Sequence, residues 1–429
     1  MTSVPLNFID HSTLILERML LHQGLPGLAA QVNIHFQGRV DLAQLQDAAD
    51  RLARRWPLLT ARLRRSPRPA WVPTGAGHLR IRRETLNSNS EDDLLRMLFR
   101  LIGDRIDIEN DDPMRLTLLH APDGNDVLVL QCSHVLIDGH GAAILLPQLL
   151  DPTRIPPVSD TAATSADSVN EKLLKAPWLK RMRMVIQLLR WRRHTPPISL
   201  PQLDQSARPS LGRMTRRWID ETTASVLQKR LAAIGAFANP SVLLTASGFR
   251  VLSRYVRGPL DPSSVYEMRI GYNHRFGSSK RQIFHNHVAL IILTAEPTAL
   301  DDRDELTRLL AAQMRKKLGE DNHLAAWQMM KFISQIDSWA PWLADRVVRF
   351  RDRSLRVSTV PDFLGTGRKA LGATIDYCWG HTICPYGVSM DLFQVGRRHL
   401  IVFMHSPESL SDEQASDFLD DWLDDLYRP

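Results

Sequence analysis

Apolar positions along the chain follow two periods, one typical of strands and one typical of helices. Residues 29–36 alternate apolar and polar side chains, which indicates a half-buried strand, and 126–130 form the continuous apolar run of a fully buried one. After Asp41, which fits a helix N-cap, apolar residues recur at helical spacing. The same patterns predict strands near 214–219, 264–272, 288–295, 388–395 and 399–405 and helices near 222–235, 303–318 and 412–426. This succession of strands and helices predicts an α/β protein.

A polar region with several prolines lies between two such sets of elements. It comprises 151–169, a basic apolar stretch, and a second irregular segment at 195–212. We therefore expect a first half at 1–170, a basic amphipathic helix and linker at 171–212, and a second half at 213–429. A chain of 429 residues is long enough for each half to have its own core.

The run SHVLIDG at 133–139 carries the candidate chemistry. His134 leaves the buried strand, Asp138 follows four residues later, and Gly139 comes directly after it. A histidine held near a carboxylate can act as a general base near neutral pH, whereas a lone core histidine is more often structural. Gly139 permits a positive φ, and the amides of Gly139 and Gly141 are candidates for binding an oxyanion.

This run resembles the His-His-x-x-x-Asp-Gly motif of the chloramphenicol acetyltransferase-like superfamily. That superfamily includes nonribosomal peptide condensation domains, wax ester synthases, BAHD acyltransferases and polyketide-associated acyltransferases. His134 matches the second histidine of the motif, and Ser133 stands in place of the first; we interpret Ser133 as a variation, because the BAHD branch has only His-x-x-x-Asp. The resemblance covers nearly the full chain and implies an α/β fold of two acetyltransferase-like subdomains. Each would be a mixed sheet flanked by helices, with a channel between them.

The resemblance also implies a role for each matched residue. His134 would be the general base of an acyl transfer that proceeds without an acyl-enzyme intermediate, and Asp138 would be a structural brace paired with an arginine. Arg275 is the candidate partner, in a passage similar to the Asn-Arg of condensation proteins; an ordinary surface arginine is the alternative. Asn286 matches the asparagine of a Gly-Asn-x-Val motif in which His285 replaces the glycine.

Two further groups of polar residues were considered. Ser358 and Thr359 lie in VSTVP at 357–361, which is similar to the Val-Ser-Asn-Val-Pro of wax ester synthase-like proteins. Their hydroxyls are a second candidate for oxyanion stabilisation, or they cap a strand end. The histidines at 274–287 lack the spacing of a metal site, so we predict no bound metal and no permanently bound cofactor.

Positive charge is concentrated in one segment of the chain. Residues 171–193 contain eight basic side chains and one acid, which accounts for the net charge of +7 of the whole protein. With its tryptophans, this segment could lie in a lipid headgroup layer, dock an acidic carrier protein, or cover a core with a solvated basic face, which is the commonest case. No motif indicates nucleic-acid binding.

The resemblance implies an acyltransferase that forms an ester or an amide. The donor would be acyl-CoA or an acyl group on the phosphopantetheine of a carrier protein, and the acceptor would be an alcohol or an amine. The protein would then be a free-standing condensation enzyme of natural-product biosynthesis. The alternatives are a wax ester synthase-like O-acyltransferase and a non-catalytic, carrier-binding module. Three cysteines without paired spacing and no signal-peptide pattern predict a cytoplasmic protein, with peripheral membrane contact through 171–193 left open.

Overall fold

The computed structural model describes residues 3–65, 68–155, 175, 177–198, 200, 210–235, 239–256, 260–261, 263–273, 275, 282–320, 323–347 and 355–428. Its helices are α1 (Phe8–His22), α2 (Leu42–Arg55), α3 (Glu91–Gly103), α4 (Gly139–Leu150), α5 (Trp178–His194), α6 (Glu221–Ile234), α7 (Pro240–Tyr255), α8 (Arg303–Gly319), α9 (His323–Asp337), α10 (Pro341–Val347) and α11 (Asp412–Tyr427). Its strands are β1 (Val4–Pro5), β2 (Ala29–Gln37), β3 (Ala61–Arg64), β4 (Ala70–Pro73), β5 (Ile81–Thr85), β6 (Met114–His120), β7 (Asp126–Ser133), β8 (Pro197–Ile198), β9 (Arg213–Ile219), β10 (Val265–Asn273), β11 (Val288–Ala295), β12 (Leu355–Val360), β13 (Lys369–Ala370), β14 (Ala373–Thr382), β15 (Val388–Val395) and β16 (Arg398–His405).

The described strands form two large mixed sheets and a small one. The first large sheet has the order β13-β14-β2-β7-β6-β5, and the second has β11-β10-β12-β15-β16-β9, with β8 added beside β10. The small sheet has the order β1-β4-β3. Each large sheet combines parallel and antiparallel pairs, since β5 runs parallel to β6 and β12 runs parallel to β15.

Two strands from the second half of the chain, β13 and β14, belong to the first sheet. Strand β14 pairs antiparallel with β2, from Thr374 opposite Gln37 to Thr382 opposite Ala30. The segment after β12 therefore crosses from the second sheet to the first, and β15 returns to the second. The two sheets are joined by this exchange of chain as well as by packing.

Three of the buried apolar clusters explain how the halves are held together. One fills the first half around β2, β7, α2 and α4, and another fills the second half around β10, β15, α7 and α11. The third draws on both halves, because Leu98 and Val129 of the first pack with Met214, Leu400 and Val402 of the second. Burial of this shared cluster fixes one sheet against the other.

The fold class predicted from the sequence is confirmed, with three differences in detail. Helix α1 has no counterpart among the predicted elements; Asn7 caps it and forms a capping box with Asp10. Helix α4 begins at Gly139 because the Asp138 carboxylate accepts a hydrogen bond from the Gly141 amide as its N-cap. Residues 156–174 and 201–209 lie outside the described residues; they include the predicted boundary at 170 and part of the predicted linker at 171–212, so the boundaries at 170 and 213 stay predictions.

Candidate active site

A channel of about 510 Å³ lies between the two large sheets. Strands β2, β7 and β14 and the start of α4 supply one side, and β10, β12 and β15 supply the other. We call residues 133–139 and 285–287 the motif wall, and the channel-facing residues of β12 and β15 the β12–β15 wall. His134 and Gly139 line the channel from the first, and Ser358 and Asp391 line it from the second.

The imidazole of His134 is held in one orientation by Asn286. His134 Nδ1 lies 3.1 Å from Asn286 Oδ1, while Asn286 Nδ2 donates to the His134 carbonyl at 2.8 Å and to Asp10 Oδ1 at 2.9 Å. Both partners of Nδ2 can only accept, so the amide oxygen must face the ring and Nδ1 must carry the proton. The ring is partly exposed, and Nε2 then presents its lone pair as the basic nitrogen.

Asp10, in the first turn of α1, holds Asn286 in place through hydrogen bonds. Its fully buried carboxylate accepts from the Asn286 amide N–H at 2.7 Å and from His285 Nδ1 at 2.6 Å. Asn7 adds a hydrogen bond from its Nδ2 to the Asn286 carbonyl at 3.1 Å. Sequence reasoning missed Asp10. The local signal that could have located α1 is Asn7 as a helix N-cap with the acidic residue Asp10 three positions later.

Asp138 and Arg275 form the ion pair that the resemblance implied. Arg275 Nη1 donates to Asp138 Oδ2 at 2.8 Å, and both side chains are buried. Burial alone disfavours the ionised carboxylate, but the Arg275 guanidinium and the amides of His287 and Gly141 outweigh it and lower the pKa of Asp138. The Asp138 carboxylate is engaged by Arg275 and by the amides of His287 and Gly141, and these contacts brace the loop that carries His134.

The same guanidinium ties the motif loop to the segment that follows β10. Arg275 Nε donates to the Gln282 carbonyl at 2.9 Å and Nη2 donates to the His285 carbonyl at 3.0 Å. The His285 amide in turn donates to the Leu136 carbonyl at 2.9 Å, forming a short parallel bridge beside Ile137. The ordinary surface arginine considered from the sequence is therefore the wrong alternative for Arg275.

His285 adopts a backbone conformation that normally favours glycine. Its φ is +69°, in the left-handed region where a side chain is strained. The resembled motif has a glycine here, and in this chain the imidazole of His285 is anchored by Asp10 at 2.6 Å. The departure from the motif is thus accompanied by a compensating contact that fixes the residue before Asn286.

The two glycines of the motif loop have different roles from those expected. Neither has a positive φ: the left-handed conformation that Gly139 would permit is not adopted, and Gly139 is the first residue of α4. A Cβ on Gly141 would lie 2.0 Å from the Ile283 carbonyl oxygen, whereas one on Gly139 would meet nothing within 4 Å. The Gly141 amide donates to Asp138 at 2.9 Å and is not available for an oxyanion, which leaves the Gly139 amide at the helix N-terminus.

The β12–β15 wall presents polar groups with few partners. Arg356, Ser358, Ser389 and Asp391 all line the channel, because β12 and β15 pair in register, with Ser358 opposite Asp391. Burial raises the pKa of Asp391 to about 7, even though the nearby Arg356 guanidinium favours the ionised form. No hydrogen bond joins the Asp391 carboxyl group to another side chain or backbone group in the described part of the chain, and sequence reasoning did not single it out.

The remaining candidates fall into place around the channel. Thr359 Oγ1 lies 2.9 Å from Ser241 Oγ, so its hydroxyl is occupied, whereas Ser358 is exposed to the channel. Ser133 is buried, and its Oγ accepts from the Val135 amide at 3.3 Å, as a turn residue does. Within the described ranges no group of histidine, cysteine and carboxylate side chains could hold a metal ion; His274 lies outside them.

Similarity to known proteins appears in structure and not in sequence. No protein-family model matches the sequence, and no curated protein matches it. Among solved structures, the first condensation domain of the calcium-dependent antibiotic synthetase, in complex with substrate analogue 3a, superposes with a TM-score of 0.76 at 14% identity over 99% of this chain and 96% of that one.

Two further condensation domains superpose on this chain. That of the Monacolin K polyketide synthase MokA has a TM-score of 0.69 at 12% identity, covering 100% of this chain and 97% of that one. A mutant starter condensation domain of the rhizomide synthetase RzmA, in complex with C8-CoA and Leu-SNAC, has a TM-score of 0.66 at 13% identity, covering 98% and 93%. The protein therefore has the fold of these condensation domains, as the resemblance of the motif implied.

Proposed function

We propose that the protein is a condensation-type acyltransferase with His134 as its general base. One observation carries this proposal: His134 lines a channel between the sheets, and Asn286 fixes the ring with Nε2 as the basic nitrogen. A positioned base of this kind contributes about 10²- to 10⁴-fold in rate. The buried Asp138–Arg275 pair supports it by holding the loop.

The proposed reaction transfers an acyl group from a thioester to an amine or alcohol. His134 Nε2 takes the proton of the acceptor as its nitrogen or oxygen attacks the thioester carbonyl. The tetrahedral intermediate then expels the thiolate, which takes the proton from the imidazolium, so the products are an amide or ester and a free thiol. The Gly139 amide and the Ser358 hydroxyl are the candidates to stabilise the oxyanion.

The substrates are proposed by chemical class. A similar structure is in complex with C8-CoA and Leu-SNAC, which supports a thioester donor and an acceptor that carries an amine. The same support extends to a carrier-protein donor, since the other similar structures are domains of synthetases and a polyketide synthase. An alcohol acceptor, as in a wax ester synthase-like enzyme, is the alternative within this reaction class.

The test is thiol release with product identification by mass. Purified protein would receive octanoyl-CoA and a panel of amines, alcohols and aminoacyl thioesters, with wild type compared with His134→Ala. The matched control is His140→Ala, because His140 is exposed in the first turn of α4, close to His134 in sequence, and is not among the residues that line the channel. We expect His134→Ala to lose at least about 100-fold and His140→Ala to retain activity. Equal rates for wild type and His134→Ala across the panel would favour the non-catalytic binding module.

A further inference from the structure

Helix α5 exposes large apolar side chains that a solvated helix would normally bury. Trp178 is 58% exposed, Leu179 74%, Ile186 46% and Leu189 52%. On a helical projection these four fall within a little over a quarter of the circumference, so they form one continuous strip. We call this strip the α5 face. Isolated exposed apolar residues are ordinary, but four on one face of a helix mark an interaction surface.

The helix packs onto the protein through the side that borders the α5 face next to Trp178. Arg181, 7% exposed, donates from Nη1 to Gln328 Oε1 of α9 at 3.0 Å, and Val185 is buried beside it. A buried arginine and exposed tryptophan and leucine reverse the usual arrangement of a basic amphipathic helix. The solvated basic face over a core, the commonest alternative from the sequence, therefore does not describe α5.

Basic side chains border the α5 face. Arg183 and Arg190 are exposed and lie on the helical projection directly beyond Leu179, with Lys180 further round. The sequence contains no acidic residue between Glu171 and Asp204. The surface is thus an apolar strip with a cationic border, and its charge complements an anionic partner.

A second group of exposed tryptophans lies on the neighbouring elements. Trp339, 80% exposed, lies in the turn between α9 and α10, and Trp342, 67% exposed, is the second residue of α10. Helix α9 contacts both α5 and α10, so the α5 face and the second group of tryptophans are both next to α9. Indole rings prefer the boundary between water and hydrocarbon, where the ring is buried and the N–H stays hydrated.

We propose that the α5 face binds the surface of an anionic lipid membrane, with α5 lying parallel to it. Tryptophan and aliphatic side chains would enter the headgroup layer, while Arg183 and Arg190 extend to lipid phosphates. A lipid surface fits this strip because exposed tryptophan and aliphatic side chains on one helix face, bordered by arginine, match the headgroup layer with its phosphates. No helix in the described part of the chain is long and apolar enough to cross a bilayer, and none is needed for this contact. The proposal is independent of the proposed function.

Vesicle flotation with the full chain tests this surface. Protein would be mixed with vesicles of phosphatidylcholine alone and with vesicles of phosphatidylcholine and phosphatidylglycerol at about 3:1. We expect binding to the anionic vesicles that weakens at high salt, and little binding to the neutral ones. The double variant Leu179→Ser/Arg183→Glu should weaken binding by at least about tenfold, since it removes an apolar and a cationic contact together.

The matched control is Leu309→Ser/Arg308→Glu on α8. Helix α8 has the same length as α5 and also exposes a leucine and an arginine at these positions. This variant should float as wild type does. Failure of wild type to bind anionic vesicles, or equal losses in both variants, would overturn the proposal. It would also be overturned if Leu179→Ser/Arg183→Glu lost binding to a holo acyl carrier protein but not to vesicles, which would assign the surface to an acidic protein.

Discussion

The two walls of the channel differ in how their polar side chains are held. On the motif wall, His134, Asn286, Asp10, Asp138 and Arg275 form hydrogen bonds or ion pairs with one another or with backbone groups. The β12–β15 wall instead presents an exposed Ser358 hydroxyl and an Asp391 carboxyl without a hydrogen bond in the described part of the chain.

This difference separates two requirements of an acyl-transfer site. A proton acceptor must be fixed before the substrates arrive, because reorganising it during the reaction would cost rate. Groups that contact a substrate remain without partners until the substrate supplies them. Under the proposed function, we infer that the motif wall supplies the proton acceptor and that the β12–β15 wall contacts the substrates and the oxyanion, and the following changes test that inference.

The largest effect is expected at the buried ion pair of the motif wall. Arg275→Met removes the guanidinium and leaves the buried Asp138 carboxylate without its charge partner, which typically costs about 3–5 kcal/mol. Denaturant unfolding would measure the loss. The double variant Asp138→Asn/Arg275→Met should be less destabilised than the sum of the single variants. A loss below about 1 kcal/mol for Arg275→Met would contradict the role of this pair as a brace.

The second change targets the orientation of the base. Asn286→Ala frees the His134 ring to rotate and to change tautomer, so we expect kcat to fall by about 100-fold, or about 2.7 kcal/mol, with KM little changed. Steady-state kinetics on folded protein would check this. A purely structural role predicts a different result, in which stability falls while kcat per folded molecule is preserved.

The third change compares two glycines of the first turn of α4, Gly139 and Gly141. Gly141→Ala would place a Cβ against the Ile283 carbonyl and should destabilise the protein by about 2 kcal/mol, while Gly139→Ala has open space and serves as the control. Thermal unfolding of both variants would show the contrast. Similar melting temperatures would mean that the close approach of the 283 segment to α4 is not a requirement of the fold.

The smallest effect concerns the pH dependence of the β12–β15 wall. The folded protein keeps a proton on Asp391 up to about pH 7, whereas the unfolded chain releases it near pH 4, so stability should decline as pH rises between these values. Asp391→Asn cannot ionise and should flatten the decline, by roughly 1–2 °C in Tm between pH 5 and 8. The control Asp420→Asn, at an exposed position on α11, should keep the wild-type slope.

The sequence predicted those features of the fold and of the site that depend on a local pattern. It did not predict the contacts between residues that are far apart in the chain. Periodicity and capping located the strands and most helices, and the motif led to His134, Asp138 and Arg275. Asp10 was missed because its partner Asn286 is 276 residues away and no local pattern connects them. The roles of Gly139 and Gly141 were misjudged, since only the approach of the Ile283 carbonyl distinguishes them.

The bridge between Ile137 and His285 makes the site dependent on the completion of folding. The orientation of His134 needs α1, the motif loop and the segment before β11 at the same time, and closing such distant loops is costly until many contacts form together. A chain with only its first half folded would contain His134 but lack Asn286 to fix its tautomer. Catalytic competence would therefore report the final assembly of the molecule, and a partly folded chain could not consume a thioester.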